Sequence, residues 1–125
     1  MSAGKRILIV DDSPVVLAAA AHALVAAGYE VDTRNSVEEV GARGVDGFDL
    51  VLMDVQMPEL FGDDVAAVLR HERGVRARIF LFSTLAESEL RTRAAEARID
   101  GYIAKQDGLE HLVDEVNRLF AEPAP

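Results

Sequence analysis

The sequence predicts a single α/β domain built around a central parallel sheet, and two observations carry this prediction. Short apolar runs alternate with helical patterns along the whole chain, and the first, third and fourth runs contain no polar residue. Uninterrupted runs of this kind are typical of parallel strands that helices cover on both faces. Five strand–helix units in strict alternation therefore predict a sheet with helices on both sides and right-handed crossovers.

The five predicted strands differ in how deeply we expect them to be buried. The second and fifth runs contain polar residues or glycine, so we expect these two strands to be less buried than the others. In chain order the predicted strands are residues 7–10, 29–31, 50–53, 79–82 and 101–103.

Several helix ends can be recognised from the residues that cap them. Ser13 before Pro14 is an N-cap followed by proline at the first helical position. Ser36 and Glu39 have the spacing of a capping box, but two glycines inside the following helix predict that it is short or weak. The other predicted helices cover residues 65–72 after Gly62-Asp63-Asp64, residues 87–97 and residues 109–120.

Length, charge and composition exclude several classes of function. The 125 residues suit one domain, and half of them are hydrophobic, which is enough for a core. The net charge of −9 would repel the phosphate backbone of DNA or RNA and favours a cation or a basic partner. Because there is no cysteine, disulfides, thiolate metal sites and cysteine nucleophiles are excluded.

No segment predicts a membrane span or a secretion signal. The longest mostly apolar stretch, residues 14–27, is shorter than the roughly 20 residues that a span requires, and His22 interrupts it. The apolar run after Lys5 and Arg6 is too short for a signal peptide. We therefore expect a cytoplasmic protein without a membrane partner, with residues 121–125 as a tail or the start of a linker.

Polar side chains follow four of the five predicted strands at the point where each strand ends. In strand order they are Asp11 and Asp12, Asp54, Ser83 and Thr84, and Lys105. The carboxyl ends of parallel strands meet at one edge of a sheet, which is where open α/β sheets bind ligands. We therefore expect these side chains to gather in one place.

The chemistry of this cluster predicts phosphoryl transfer assisted by Mg²⁺. Three carboxylates persist together as anions only when a cation lies among them, and hard oxygen ligands suit Mg²⁺. Lys105 and the hydroxyl of Ser83 add a positive charge and a donor for the oxygens of a phosphoryl group. An aspartate such as Asp54 is a competent nucleophile that forms an acyl phosphate.

Each of these features alone also has a purely structural explanation. Asp-Asp-Ser-Pro after a strand is often only a turn with a helix cap, Ser83 and Thr84 suit a cap of the next helix, and a single Lys105 is often a solvated charge. Their coincidence at the ends of four strands favours the functional interpretation. Structural roles are assigned to Ser13, His22, His71 and His111.

Together these motifs resemble the response-regulator receiver family of two-component signalling, from Arg6 to Phe120. The resemblance rests on an acid pair after the first strand, a phosphoacceptor strand and loop, a hydroxyl after the fourth strand and a terminal lysine. The matching segments are residues 7–13, residues 50–54 with Met57-Pro58 and Gly62, Phe82-Ser83, and residues 101–105.

The resemblance implies a flavodoxin-like (βα)5 fold, with sheet order 2-1-3-4-5, in one receiver domain at residues 1–120. It implies that a histidine kinase or phosphotransfer protein phosphorylates Asp54, and that the domain is no enzyme beyond its own phosphorylation and dephosphorylation. Phosphorylation would remodel the face of helix 4, strand 5 and helix 5, which contacts a downstream effector protein or domain. A phosphorylation-dependent homodimer through this face is a further option.

The resemblance also assigns roles within the site. Asp12 and Asp54 would bind Mg²⁺ by carboxylate, Gln56 by its backbone carbonyl and Asp11 through water. Lys105 would pair with a carboxylate or with phosphoryl oxygens.

The switch residues follow from the same resemblance. Ser83 would move toward the phosphoryl group and Tyr102 would turn inward after it. Gln56 and Leu85 would flank the path of a hydrolytic water, and we expect the bulky Leu85 to prolong the phosphorylated state. Thr84 stands where the family prefers a smaller residue beside the phosphoryl group.

Two further positions depart from the family pattern. Gln106 follows Lys105 where the family has proline, so the conformation of the loop into the last helix is not implied by the resemblance. Phe61 precedes Gly62 where the family often has aspartate, and local packing of Phe61 is favoured over a partner contact.

Three other functions remain as alternatives, and the first is the strongest. A receiver-like module that binds proteins without phosphorylation is opposed by the complete set of acids, hydroxyl and lysine. A haloacid-dehalogenase-type phosphatase needs a second acid where this chain has Gln56. A flavodoxin needs a hydroxyl-rich phosphate loop where this chain has Asp11 and Asp12.

Overall fold

Five parallel strands run through the centre of the computed structural model, which describes residues 4–121. The strands are β1 (Arg6–Val10), β2 (Glu30–Arg34), β3 (Leu50–Met53), β4 (Arg78–Ser83) and β5 (Gly101–Ala104). The helices are α1 (Pro14–Ala26), α2 (Val37–Arg43), α3 (Gly62–His71), α4 (Glu87–Ala97) and α5 (Leu109–Ala121). The sheet order is β2-β1-β3-β4-β5, which confirms the predicted flavodoxin-like topology.

The apolar runs occupy the centre of the sheet as their composition predicts. Every residue of β3 is fully buried, and so are Ile7, Leu8, Ile9 and Val10 of β1. Their side chains alternate between the two faces, so each strand contributes to two separate hydrophobic clusters, one under each layer of helices. This double burial is the reason that these strands show no polar alternation.

The second strand lies further along the chain than predicted. β2 runs from Glu30 to Arg34 instead of over residues 29–31, and Tyr29 is a buried residue before the strand. The polar residues after Val31 hid the strand, because an edge strand with partial exposure tolerates charge. The buried Arg34 is held by an ion pair with Asp32 at 2.9 Å.

The predicted caps of the first two helices are confirmed. The hydroxyl of Ser13 accepts a hydrogen bond from the backbone N–H of Val16, and Ser36 does the same for Glu39. The second helix spans only residues 37–43 and ends before Gly44, as its glycines predict. Gly44 has φ 77°, a conformation that favours glycine over other residues.

The loop after the fifth strand has a simple conformation although proline is missing from it. Lys105–Asp107 forms one turn of 3-10 helix, and Gly108, with φ 92°, leads from that turn into α5. The peptide bond between Lys105 and Gln106 is trans, as are all peptide bonds in residues 4–121.

The helix layers differ in how tightly they close. α1 packs against α5 on one face, and α3 packs against α4 on the other face. α2 contacts β2 but does not pack closely against α3. None of the helices described in residues 4–121 is long and apolar enough to cross a membrane. The predicted tail begins inside α5, since Ala121 is helical, and residues 122–125 lie outside the described part of the chain.

Candidate functional site

Three carboxylates meet at the carboxyl edge of the sheet, as the strand ends predict. Asp11 and Asp12 follow β1, and Asp54 follows β3, which lies next to β1 in the sheet. The backbone N–H of Asp54 donates a hydrogen bond of 2.9 Å to the carbonyl of Val10, which fixes the relative position of the two strand ends. One carboxylate oxygen from each aspartate lies within 4.8 Å of the other two.

Burial distinguishes the three acids from one another. Asp11 and Asp54 are only 1% and 4% exposed, whereas Asp12 is open to solvent. Asp11 Oδ1 accepts a hydrogen bond of 2.9 Å from the backbone N–H of Ser13, so the turn explanation for this motif is partly correct as well. Oδ2 of Asp11 remains buried and faces the cluster of charges.

Lys105 brings the positive charge that the cluster requires. Its Nζ lies 2.5 Å from Asp11 Oδ2 and 3.4 Å from Asp54 Oδ1, and the lysine side chain is 13% exposed. The replacement of the usual proline by Gln106 therefore leaves the lysine directed into the cluster. The explanation of Lys105 as a solvated surface charge is wrong.

The surroundings of Asp54 make its charged form costly. Burial raises the pKa of Asp54 to about 6, and the neighbouring negative charge of Asp11 acts in the same direction. The positive charge of Lys105 opposes both effects without cancelling them. A buried carboxylate in this position is therefore poised to bind a cation, because a cation removes the electrostatic cost of ionisation.

The oxygen atoms of the cluster fit a hard divalent cation. Asp11, Asp12 and Asp54 supply only carboxylate oxygens, and one of the three is open to water. Mg²⁺ prefers one or two carboxylates together with retained waters over a closed cage of protein ligands. Of the described residues, these three form the only such group of acids and histidines.

Gly62 contributes a steric requirement for which the sequence offered only a weak signal. A Cβ atom at position 62 would lie 1.6 Å from the backbone carbonyl oxygen of Asp54, so no other residue fits there. The N–H of Gly62 donates to the carbonyl of Val55 at 2.8 Å, which holds the start of α3 against the end of β3. In the sequence, Gly62-Asp63-Asp64 predicted the start of a helix, but it did not predict the close approach of Gly62 to the backbone of Asp54.

The two hydroxyl residues at the end of β4, Ser83 and Thr84, do not cap the next helix. Ala86 occupies the N-cap position of α4, which excludes that structural explanation for Ser83 and Thr84. Ser83 is fully buried, and its hydroxyl accepts a hydrogen bond of 3.3 Å from the backbone N–H of Leu85. The hydroxyl of Thr84 faces Oε1 of the exposed Gln56 at 3.5 Å, which is at the limit of hydrogen bonding.

The side chain of Tyr102 connects β5 to α4. Its ring is partly buried against the core below α3 and α4, and its hydroxyl donates a hydrogen bond of 3.3 Å to Glu87. The same hydroxyl raises the pKa of the nearby Arg91 guanidinium. The tyrosine predicted to switch is therefore tied to the first turns of α4.

Phe61 packs against a residue of its own domain, as expected, but the sequence did not identify Arg93 as its partner. The guanidinium of Arg93 lies over the half-exposed ring of Phe61 at 5.1 Å from the ring centroid. Arg93 also donates to both carboxylate oxygens of Asp63 at 3.1 Å and to Glu89 at 3.0 Å. Phe61 and Arg93 are about thirty positions apart, so only the packing of α3 against α4 reveals the contact.

The histidines remain outside the cluster, as predicted. His71 Nε2 lies 2.9 Å from the carbonyl oxygen of Ala97, which is a structural contact between the ends of two helices. His22 and His111 belong to α1 and α5, and the acid cluster includes neither.

Comparisons with known proteins agree with this geometry. The profile of the response regulator receiver domain matches residues 7–117. The gliding motility regulatory protein of Myxococcus xanthus is 35% identical over 117 residues, covering 91% of this chain and 15% of the relative. The phosphate regulon transcriptional regulatory protein PhoB of Pseudomonas aeruginosa is 32% identical over 124 residues, covering 98% of this chain and 54% of that protein.

A solved structure shows the same likeness in three dimensions. The response regulator protein TrrA of Thermotoga maritima, in complex with Mg²⁺ and BeF, is 31% identical and superimposes with a TM-score of 0.76. The match covers 92% of this chain and 98% of TrrA. Both curated relatives are longer than this chain, which spans 54% of PhoB and 15% of the gliding motility regulatory protein. The family profile, which matches almost the whole chain, shows that this chain belongs to the receiver domains of two-component response regulators.

Proposed function

We propose that this receiver domain acts as a switch through phosphorylation of Asp54. The observation that carries the proposal is the position of Lys105 between two buried carboxylates, with a third acid beside them. In the proposed step an Asp54 carboxylate oxygen bonds to phosphorus as the phosphorus–nitrogen bond of the donor's phosphohistidine breaks. Asp54 becomes an acyl phosphate, and the imidazole that leaves stays on the donor and takes up a proton from solvent. The donor is the phosphohistidine of a histidine kinase or a phosphotransfer protein.

Mg²⁺ would be held by the carboxylates of Asp12 and Asp54, by the backbone carbonyl of Gln56 and, through water, by Asp11. The bound ion would neutralise the carboxylates and the oxygens of the incoming phosphoryl group. The hard oxygen donors of the cluster support this assignment. The Mg²⁺–BeF complex of TrrA, at 31% identity, supports it as well.

Three residues would respond to the phosphoryl group. The ammonium of Lys105 would pair with its oxygens, and the hydroxyl of Ser83 would leave the Leu85 N–H to donate to them. Tyr102 would then release Glu87 and turn toward the space that Ser83 had left. The candidate catalytic residues are Asp54, Ser83, Lys105 and Thr84. Thr84 lies exposed at the rim of the site, where its hydroxyl faces Gln56.

This movement would change the face formed by α4, β5 and α5. We propose that a downstream effector protein or domain reads this face, either directly or through a phosphorylation-dependent homodimer. The chain would act in the cytoplasm as a signalling domain, whose only catalysis is its own phosphorylation and dephosphorylation. The net charge of −9 opposes direct contact of this domain with nucleic acid.

The lifetime of the phosphorylated state is a separate hypothesis that concerns Leu85. Leu85 is partly buried against the core and follows the switch hydroxyl by two residues, while Gln56 lies exposed across the same site. A bulky apolar side chain hinders the approach of a water molecule in line with the phosphoryl group. We expect Leu85→Glu to lose its phosphoryl group faster than the wild type, and equal decay rates would contradict the hypothesis.

Intact-mass measurement after incubation with acetyl phosphate and Mg²⁺ tests the main proposal. We expect an adduct of about one phosphoryl group, which Asp54→Asn and a chelator both abolish. Asp63→Asn is the matched control, because it removes an acid outside the cluster and should leave the adduct unchanged. Absence of an adduct on folded wild-type protein would instead favour the phosphorylation-independent protein-binding module.

A further inference from the structure

A groove of about 580 Å³ lies between α2 and α3. It is distinct from the acid cluster, since Asp11, Asp12 and Asp54 are not among its lining residues. Its walls are mostly aliphatic, with Val37 and Val40 on the side of α2 and Val65, Val68 and Leu69 on the side of α3. Its volume falls within the range of about 300–1,000 Å³ that is common for binding sites.

The end of α2 is tied to the edge of the sheet, and α2 does not pack closely against α3. The backbone carbonyl of Gly44, at the end of α2, accepts hydrogen bonds of 3.3 and 3.1 Å from the guanidinium of Arg34. This contact ties the helix to β2, at the edge of the sheet. Gly41 faces the groove, and a Cβ atom there would meet no other atom within 4 Å. The gap is therefore built into the edge of the sheet.

Apolar side chains at this groove are left partly uncovered. Leu60, at its rim, is 52% exposed, and Val68 is 38% exposed. The corresponding helices on the opposite face, α1 and α5, pack against each other. An uncovered apolar surface between two helices is the kind of feature that marks an interaction site.

Charged residues at the groove are available to a partner. Asp46 and Asp64 lie in its lining, together with one cation, Arg73. Within the described residues, no salt bridge involves any of the three. The two carboxylates outnumber the guanidinium, and the net charge of −9 adds a negative field around the domain. These charges favour a basic occupant over an acidic one.

We propose that the groove between α2 and α3 binds an amphipathic helical segment of a partner protein that carries basic residues beside its apolar stripe. Its apolar side chains would lie between the valines of the two helices. Its lysines or arginines would meet Asp46 and Asp64. This site is separate from the face of α4, β5 and α5, and its existence does not depend on phosphorylation of Asp54.

A helix suits this groove better than an extended strand does. The walls are two helix surfaces, whose side-chain ridges accept the ridges of a third helix at an ordinary packing distance. An added strand needs a free sheet edge for its backbone hydrogen bonds, and none of the groove-lining residues between positions 4 and 121 belongs to a strand. The groove therefore offers mainly side-chain contacts and no strand edge, and a helix, whose backbone hydrogen bonds are internal, can use such a surface.

The probe for the test is a synthetic peptide of about 15 residues, with leucines at positions i, i+3, i+4 and i+7 and lysines beside them. Two-dimensional NMR of the full chain follows each backbone amide during titration. We expect shifts concentrated on α2, α3 and the segments that line the groove. A second peptide, with glutamates in place of the lysines, should bind at least about tenfold more weakly.

Two variants of one glycine make the test specific. Gly41→Leu fills the groove and should weaken binding of the lysine peptide at least about tenfold. Gly41→Ala is the matched control, because it also replaces the glycine but leaves most of the groove open. Thermal unfolding of both variants verifies that α2 is intact, since both substitutions favour the helix.

Other outcomes would overturn the proposal. Equal affinity for Gly41→Leu and Gly41→Ala would place the peptide elsewhere on the surface. Equal affinity for the lysine and glutamate peptides would show that the groove does not select a partner with basic residues. Concentration-dependent self-association that Gly41→Leu abolishes, measured by sedimentation, would assign the groove to a second copy of this chain. Phosphorylation of Asp54 is measured separately by mass, so failure here leaves that proposal untouched.

Discussion

Two clusters in this domain place one cation between two carboxylates, and they differ mainly in burial. Lys105 lies between Asp11 and Asp54 at the end of the sheet, where both acids are almost fully covered. Arg93 lies between Asp63 and Glu89 on the helices, with side-chain exposures of 25%, 14% and 47%. The carboxylates paired with Arg93 are therefore partly solvated, whereas the two carboxylates paired with Lys105 are almost fully buried.

The difference shows how burial turns an ion pair into a reactive site. Water screens the charges around Arg93, so those contacts add little free energy and hold Phe61 in place. In the lysine cluster, burial raises the pKa of Asp54 to about 6 in spite of the nearby cation. The lysine cluster also contains a third acid, Asp12, so its negative charge exceeds its positive charge. That excess is what a metal ion would neutralise.

The largest effect that separates the two clusters is expected from removal of the cation. Lys105→Met leaves Asp11 and Asp54 buried without a counter-charge, and we expect the free energy of unfolding to fall by about 4 kcal/mol at pH 8 without metal. Urea unfolding measures the loss. The control Arg93→Met should lose much less, and equal losses would mean that burial does not distinguish the clusters.

The stability contributed by Asp54 should depend on pH. The pKa of Asp54 is raised from 3.8 to about 6, so between these values the native protein holds a proton that the unfolded chain releases. The free energy of unfolding contributed by Asp54 therefore falls as the pH rises through this window and stays low above it.

The variant Asp54→Asn removes this pH dependence. Without metal and above pH 6, we expect it to be more stable than the wild type by up to about 3 kcal/mol, and about equally stable near pH 4. Urea unfolding across this pH range measures the difference. Asp63→Asn should show no such dependence, and a difference that is constant with pH would contradict the raised pKa.

Magnesium should act on one cluster and not on the other. At a Mg²⁺ concentration of ten times the dissociation constant, we expect wild-type stability to rise by about 1.4 kcal/mol. Thermal unfolding with and without the ion measures this gain. Asp12→Asn should reduce it strongly while Arg93→Ala retains it, and an equal gain in both variants would place the ion elsewhere.

The last prediction concerns the contacts that Arg93 makes with Asp63, Glu89 and Phe61. Arg93→Ala removes two ion pairs and the contact with Phe61, and we expect a loss of about 1 kcal/mol that decreases with added salt. Chemical unfolding at low and high ionic strength measures it. Arg91→Ala, which removes an exposed ion pair with Glu87 at 3.9 Å and a contact with the Tyr102 hydroxyl, should have a smaller effect.

Much of the fold follows from local patterns in the sequence. Purely apolar runs identified β1, β3 and β4, and the residues Ser13 and Ser36 identified the starts of two helices. β2 was placed three residues too early at its end, because Asp32, Thr33 and Arg34 carry no apolar pattern. Arg34 is buried beside Asp32, with which it forms an ion pair, and it also donates hydrogen bonds to the backbone carbonyl of Gly44. The contact with Gly44 is not visible in the local sequence.

The amino-acid pattern alone was enough to predict which residues meet at the carboxyl edge of the sheet, because parallel strands place their ends together whatever the details of packing. The burial of Asp54 and Asp11 beside an open Asp12 depends on the packed fold, and this burial raises the pKa of Asp54. The packed fold also decided the pairing of Phe61 with Arg93 and the gap between α2 and α3. These features depend on atoms brought together from distant parts of the chain, and burial and close packing arise only from such contacts.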